Sequence, residues 1–182
     1  MVPAGRSLAM AIYRLRVQIN RIDSIVERIQ HRDEVLFDRY MEAFEERDSI
    51  RMAGIAAEIA ELRRWCKALL AARYALERVV LRLETLLWVN GGDQRLGLAP
   101  AAALLAEIRR HLTVVGDPEL LLALDEVRDM LEEHVAGIEL GDFGKKAMEL
   151  LMEAAKAAEQ RMKDWFPELP SALPPKTAKA TA

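Results

Sequence analysis

Three histidines, one cysteine and a surplus of acids are the side chains here that could hold a metal or move a proton. A carboxylate-bridged di-metal site in a helical bundle takes two Glu-x-x-His pairs and two further inward glutamates. The residues three before His31, His111 and His134 are Arg28, Ile108 and Leu131, so that spacing is absent. Glu107 and His111 stand one helical turn apart, and a single i, i+4 pair of this kind is ordinarily a solvated face. Cys66 is the sole cysteine, which excludes an intrachain disulfide and a thiolate zinc cage. It sits in an apolar helical pattern, where a buried, inert thiol is expected. No Ser-His-Asp or Cys-His set and no glycine-rich phosphate loop is legible. The expectation is a protein that is not an enzyme, with no catalytic residue, no metal and no cofactor.

The elements that would position any site are helices. Apolar residues make up 52% of the 182 and charged residues 30%, while aromatics are only 5%. That balance favours long helices over a sheet. From Ser7, a candidate N-cap, apolar positions run Leu8, Ile12, Leu15, Ile19, Ile22, Val26 and Ile29, alternating steps of four and three. The rhythm breaks at Asp33 and resumes at Leu36, Tyr40 and Phe44. A turn is expected at residues 45–49. Beyond it Ile55, Ile59, Leu62, Cys66, Leu69, Leu76, Val80, Leu83 and Leu87 repeat the pattern, with Arg73 a polar intruder. Two such helices joined by a short turn predict a long antiparallel hairpin.

Asn90-Gly91-Gly92-Asp93 ends the second helix. A third helix is expected over about 98–112, with Pro100 in its first turn. Asp117 and Pro118 supply a cap and an N1 proline for a fourth, running to about Leu140. Gly141 to Gly144 then form a hinge, and a fifth helix covers about 145–165. The fold class predicted is all-α. Its parts are an N-terminal arm (1–6), a helical core (7–140, hairpin about 7–89), a hinge with a C-terminal helix (141–165) and a proline-rich tail (166–182).

Charge is divided along the chain. Residues 1–89 hold 15 basic against 13 acidic residues, and residues 90–182 hold 11 against 16. Such halves attract each other or separate partners. Arg6, Arg14, Arg16 and Arg21 precede any acid, and each could contribute about 1 kcal/mol beside an anionic membrane surface. Acids dilute the arginines and no aromatic stacking platform accompanies them, so nucleic acid is not an expected partner. The N-terminus has no signal-like apolar run, and no apolar stretch is long enough to span a bilayer. A cytoplasmic protein is expected. Last comes Trp165 to Pro175, WFPELPSALPP, whose four prolines forbid helix while its apolar residues are wasted in a mere spacer.

Two stretches carry a family resemblance: LRVQINRIDSIVERIQHRDEVLFDR (Leu15 to Arg39) and ALERVVLRLETLLWV (Ala75 to Val89). Their most telling parts are Arg32, Asp33 and Phe37 together, and the run from Val80 to Thr85. Over roughly residues 8–140 the chain resembles the archaeal CdvB cell-division proteins, a branch of the ESCRT-III family. The absence of room for a C-terminal winged helix makes it look like a shorter paralogue.

The resemblance implies a subunit that polymerises with itself and with paralogues on the inner face of the cell membrane. An AAA-type ATPase remodels that filament. It further implies acidic helices folded onto a basic hairpin in a closed monomer, with Gly91, Gly92, Gly141 and Gly144 as hinge candidates. Phe166-Pro167-Glu168-Leu169-Pro170 fits the family's proline-rich motif for the ATPase's MIT domain, with Pro174 following and Leu173 departing from the usual proline. The alternative function is a soluble helical adaptor that binds one partner and never polymerises.

Overall fold

The computed structural model describes residues 4–89 and 94–170. Five α-helices and no strand occur among them: α1 (Ala4–Glu45), α2 (Ser49–Trp88), α3 (Gln94–His111), α4 (Pro118–Glu132) and α5 (Gly141–Trp165), with one 3₁₀ turn at Leu112–Val114. The expected all-α architecture and its long hairpin are present. Leu8, Leu15 and Ile22 of α1 are fully buried against the α2 stripe that includes Leu69, Leu76 and Leu83. At 1.5 Å per residue each arm is about 60 Å long.

The hairpin closes through backbone geometry instead of glycine. Arg47 N–H bonds the Phe44 carbonyl at 3.1 Å and Asp48 N–H bonds the Ala43 carbonyl at 3.0 Å, a Schellman pair. Arg47 therefore takes φ +57°, and Asp48 caps α2 by accepting from Arg51 N–H. An L side chain costs about 1 kcal/mol in that left-handed position. Arg47→Gly is accordingly expected to raise stability by about that amount, read as a higher urea midpoint with an unchanged slope.

Four expected boundaries move. Helix α1 begins at Ala4, ahead of Ser7, and carries Gly5 inside it, where the backbone lies close to Leu87 at the far end of α2. Helix α3 begins at Gln94, so Pro100 lies inside it and not in its first turn. The turn ahead of Pro100 packs on the hairpin, with Gly97 so close to Leu86 that a Cβ there would displace the leucine. Helix α4 stops at Glu132, eight residues early, because the chain leaves helical geometry through turns at Val135 and Ile138 and a left-handed Gly137. Gly141 and Gly144 fall within the start of α5, so the non-helical connection precedes them.

Asp117 performs its expected role, accepting from the backbone N–H groups of Glu119 and Leu120 with Pro118 behind it. Helix α4 then lies along α1 and α3. Helix α5 lies on α2 and α3, antiparallel to α2: Glu153 meets Arg78 and Glu159 meets Lys67, so rising numbers on one run against falling numbers on the other. That direction delivers the end of α5 to the closed tip of the hairpin.

Candidate functional site

Two heptad-like seams bury one polar residue. Asp33 follows Val26 and Ile29 in the α1 stripe and is 1% exposed. A lone carboxylate there would be prohibitive. Arg63 of α2 answers it with a fork, Nε–H to Oδ1 at 2.8 Å and Nη2–H to Oδ2 at 3.0 Å. Below it, Leu36, Tyr40 and Ile59 form a small core of their own near the turn.

The tail lands on this pair. At Phe166 the backbone leaves α5 for extended geometry, φ −110° and ψ 123°. Arg63 reaches across with its remaining nitrogen, Nη1 donating to the Pro167 carbonyl at 2.9 Å, and its guanidinium lies over the Phe166 ring at 5.0 Å. Tyr40 donates its hydroxyl to the Pro170 carbonyl at 2.8 Å. Leu169 packs on the tip core of Leu36, Tyr40 and Ile59, as do Met52, Ile55 and Leu62. Four of the five motif residues singled out above, Phe166, Pro167, Leu169 and Pro170, are thus brought together on the hairpin of the same chain; Pro174 lies outside the described residues.

The arginines at the front of α1 are less free than their sequence suggests. Arg14 pairs with Glu126 at 2.8 Å, Arg21 with Asp117 and Glu119, and Arg16 with Glu84 of α2. Helix α4 and its N-cap Asp117 supply three of those acids. Arg6 is exposed. Of the hinge candidates, Gly91 and Gly92 lie outside the described residues.

The titratable groups with chemical potential are quiet. Burial, with the Asp33 charge behind it, pushes the Cys66 thiol up to about 12. It therefore stays protonated at neutral pH. Burial, then the charge of Lys67, lowers His111, whose Nε2 has no hydrogen-bond partner. Among the described residues no group of three His, Cys, Asp or Glu converges as a metal site, and no helix is long and apolar enough to cross a membrane.

Sequence reasoning passed over Arg63 and Tyr40. The signal for Arg63 was the acid at Asp33, since a carboxylate in a seam position requires a cation from the facing helix. Tyr40 read only as a core aromatic.

Cell division protein B1 of Sulfolobus acidocaldarius is 39% identical over 180 residues, which are 93% of this chain and 82% of the relative. The chain belongs to the CdvB family of cell-division proteins. Cell division protein B of the same organism is 31% identical over 191 residues, covering 98% of this chain and 71% of its own length. No family model and no solved structure matches the chain. As a CdvB-family member, the chain carries its two most telling parts on opposite arms of one hairpin, with Asp33 facing Arg63 and the run from Val80 to Thr85 nearer the open end, where Glu84 faces Arg16.

Proposed function

We infer that this chain serves archaeal cell division as a filament subunit that assembles on the cytoplasmic face of the membrane and is remodelled by an AAA-type ATPase. The relatives named for cell division support the role. The observation that carries the finer reading is the Phe166–Pro170 segment: an extended apolar-Pro-x-apolar-Pro strand, pre-set by its prolines for docking in a groove. No catalytic residue is needed, because the ATPase supplies the energy of turnover.

The cis contact sets a threshold for that partner. Phe166 and Leu169 are half-buried, so their docking stabilises the closed form by about 1–2 kcal/mol each. A binder with micromolar intrinsic affinity has about 8 kcal/mol available and can take the segment from the hairpin. Its apparent affinity falls by the fraction of chains with a free tail.

A peptide covering residues 165–176 should bind the MIT domain of the same organism's ATPase with micromolar affinity and lose it on Leu169→Asp. In the full chain Leu169→Asp should abolish ATPase binding and leave polymer formation intact; loss of polymer with binding retained would overturn the assignment. Light scattering against concentration, with and without anionic vesicles, tests the filament itself. A chain that stays monomeric throughout is a soluble adaptor.

A further inference from the structure

Helix α1 carries opposite charge on its two flanks. At 100° per residue Arg14, Arg21, Arg28, Arg32 and Arg39 fall within an arc of about 40°, and Glu27, Glu34, Asp38 and Glu45 within another of similar width about 120° away on the other side of the seam. Helix α4 covers only the front of the basic stripe, at Arg14 and Arg21. Arg28, Arg32 and Arg39 are exposed and have no ion pair or hydrogen bond among the described residues. On the acidic flank Glu34 meets only His31, at 3.9 Å, while Glu27, Asp38 and Glu45 have no partner among the described residues.

Each flank borders a groove. Arg28 and Arg32 rim one of about 360 Å³, floored by Ile25, Ile29, Leu62 and Trp65. The buried indole N–H of Trp65 has no hydrogen-bond partner. Glu34, Asp38 and Asp164 rim the other, about 410 Å³, beside Phe37 and Trp165. The first groove offers two cations over an apolar floor, with Asp117, already paired with Arg21, at its edge; the other offers carboxylates and aromatic rings. Arginine beside carboxylate and aromatic faces gains both ion pairing and stacking.

We propose that the basic flank of one copy docks on the acidic flank of the next, so that Arg28 and Arg32 meet Glu34 and Asp38 of a second copy. The occupant is a second copy because this chain itself carries the complementary surface, free and at nearly the same level of the hairpin. The two patches differ in residue number by six, which sets neighbouring hairpins side by side with a stagger of about 9 Å. Different surfaces meet in this contact, so it is heterologous and propagates unless a rotation closes it into a ring. The inference rests on the filament reading and names the surface that builds it.

Full-length chains carrying Arg28→Glu with Arg32→Glu, or Glu34→Arg with Asp38→Arg, test it by sedimentation and electron microscopy. All four positions are solvent-facing, and unchanged thermal unfolding should confirm intact folds. Each double variant alone should need at least ten times more protein to assemble than wild type. An equimolar mixture should assemble near the wild-type concentration, because each copy then presents one sign of charge on both flanks to a neighbour of the other sign. Assembly of either variant alone at the wild-type concentration overturns the contact and leaves the filament reading standing, as does a mixture that fails to recover. Loss of anionic-vesicle binding with solution assembly retained assigns the basic flank to lipid and also overturns it. Wild type that never assembles removes the filament reading and the contact together.

Discussion

Arg63→Ala should lower the stability of the folded chain by about 3 kcal/mol, the largest loss expected from any single side chain outside the apolar seam. The side chain of Asp33 is 2% exposed and that of Arg63 20%, so truncating the arginine leaves an uncompensated carboxylate inside the hairpin. Nearby Cys66 supplies no cation: its thiol, held protonated by burial and then by the Asp33 charge, is neutral. The double change Asp33→Leu with Arg63→Leu removes both charges and should recover most of the loss, since burying two apolar groups is often neutral relative to a buried ion pair. Urea unfolding of the two variants distinguishes the outcomes. Equal midpoints for Arg63→Ala and wild type would show that the pair contributes nothing.

The same substitution has a second readout. Arg63 is the only side chain that touches Asp33, the Pro167 carbonyl and the Phe166 ring among the described contacts. Its loss leaves the tail with the Tyr40 hydrogen bond and the apolar contacts of Phe166 and Leu169. Amide exchange at Glu168 and Leu169 should therefore accelerate more than exchange in the α1–α2 seam. Uniform acceleration would mean that the tail is held by its apolar contacts and not by the arginine. One residue thus couples a structural charge pair to the Phe166–Pro170 segment.

How much of this was readable in advance follows from the range of each interaction. Steps of three and four in the apolar pattern dictate which face of a helix is buried, and so the hairpin, its seam and its turn at residues 45–49 were legible. Asp117 with Pro118 was legible because a cap is a contact across three residues. The early end of α4 was not, since residues 133–140 are held by local turn bonds at a left-handed Gly137 that composition does not flag. The α3 start was obscured by Pro100: a proline is expected in a first turn, yet packing of Gly97 against Leu86 accompanies an earlier turn. The motif residues were visible as types, Phe166 and Leu169 between prolines. Their seat was not, because Arg63 and Tyr40 meet them across separations of 104 and 130 residues.

Ending the chain after Leu140 should promote assembly. Helix α5 buries Ala147, Leu151, Ala154 and Ala158 and spans α2 and α3, and the segment after it packs Phe166 on the main core and Leu169 on the tip core. It also places Glu153 on Arg78 and Glu159 on Lys67, two exposed pairs of a few tenths of a kcal/mol each. The contact of α5 with the hairpin is therefore mainly apolar, and salt alone should loosen it poorly. Removing it uncovers the α2 face and the tip together, shifting chains from closed to open. Sedimentation should show polymer at lower protein concentration than full length, with ordered filaments by electron microscopy. Ordered filaments matter, because newly exposed apolar surface also drives amorphous aggregation. A gentler full-length variant separates the two: Leu151→Asp keeps every other residue while loosening α5 from the hairpin, and it should move assembly in the same direction. Less polymer than wild type from both variants would show that α5 builds the assembling surface instead of covering it.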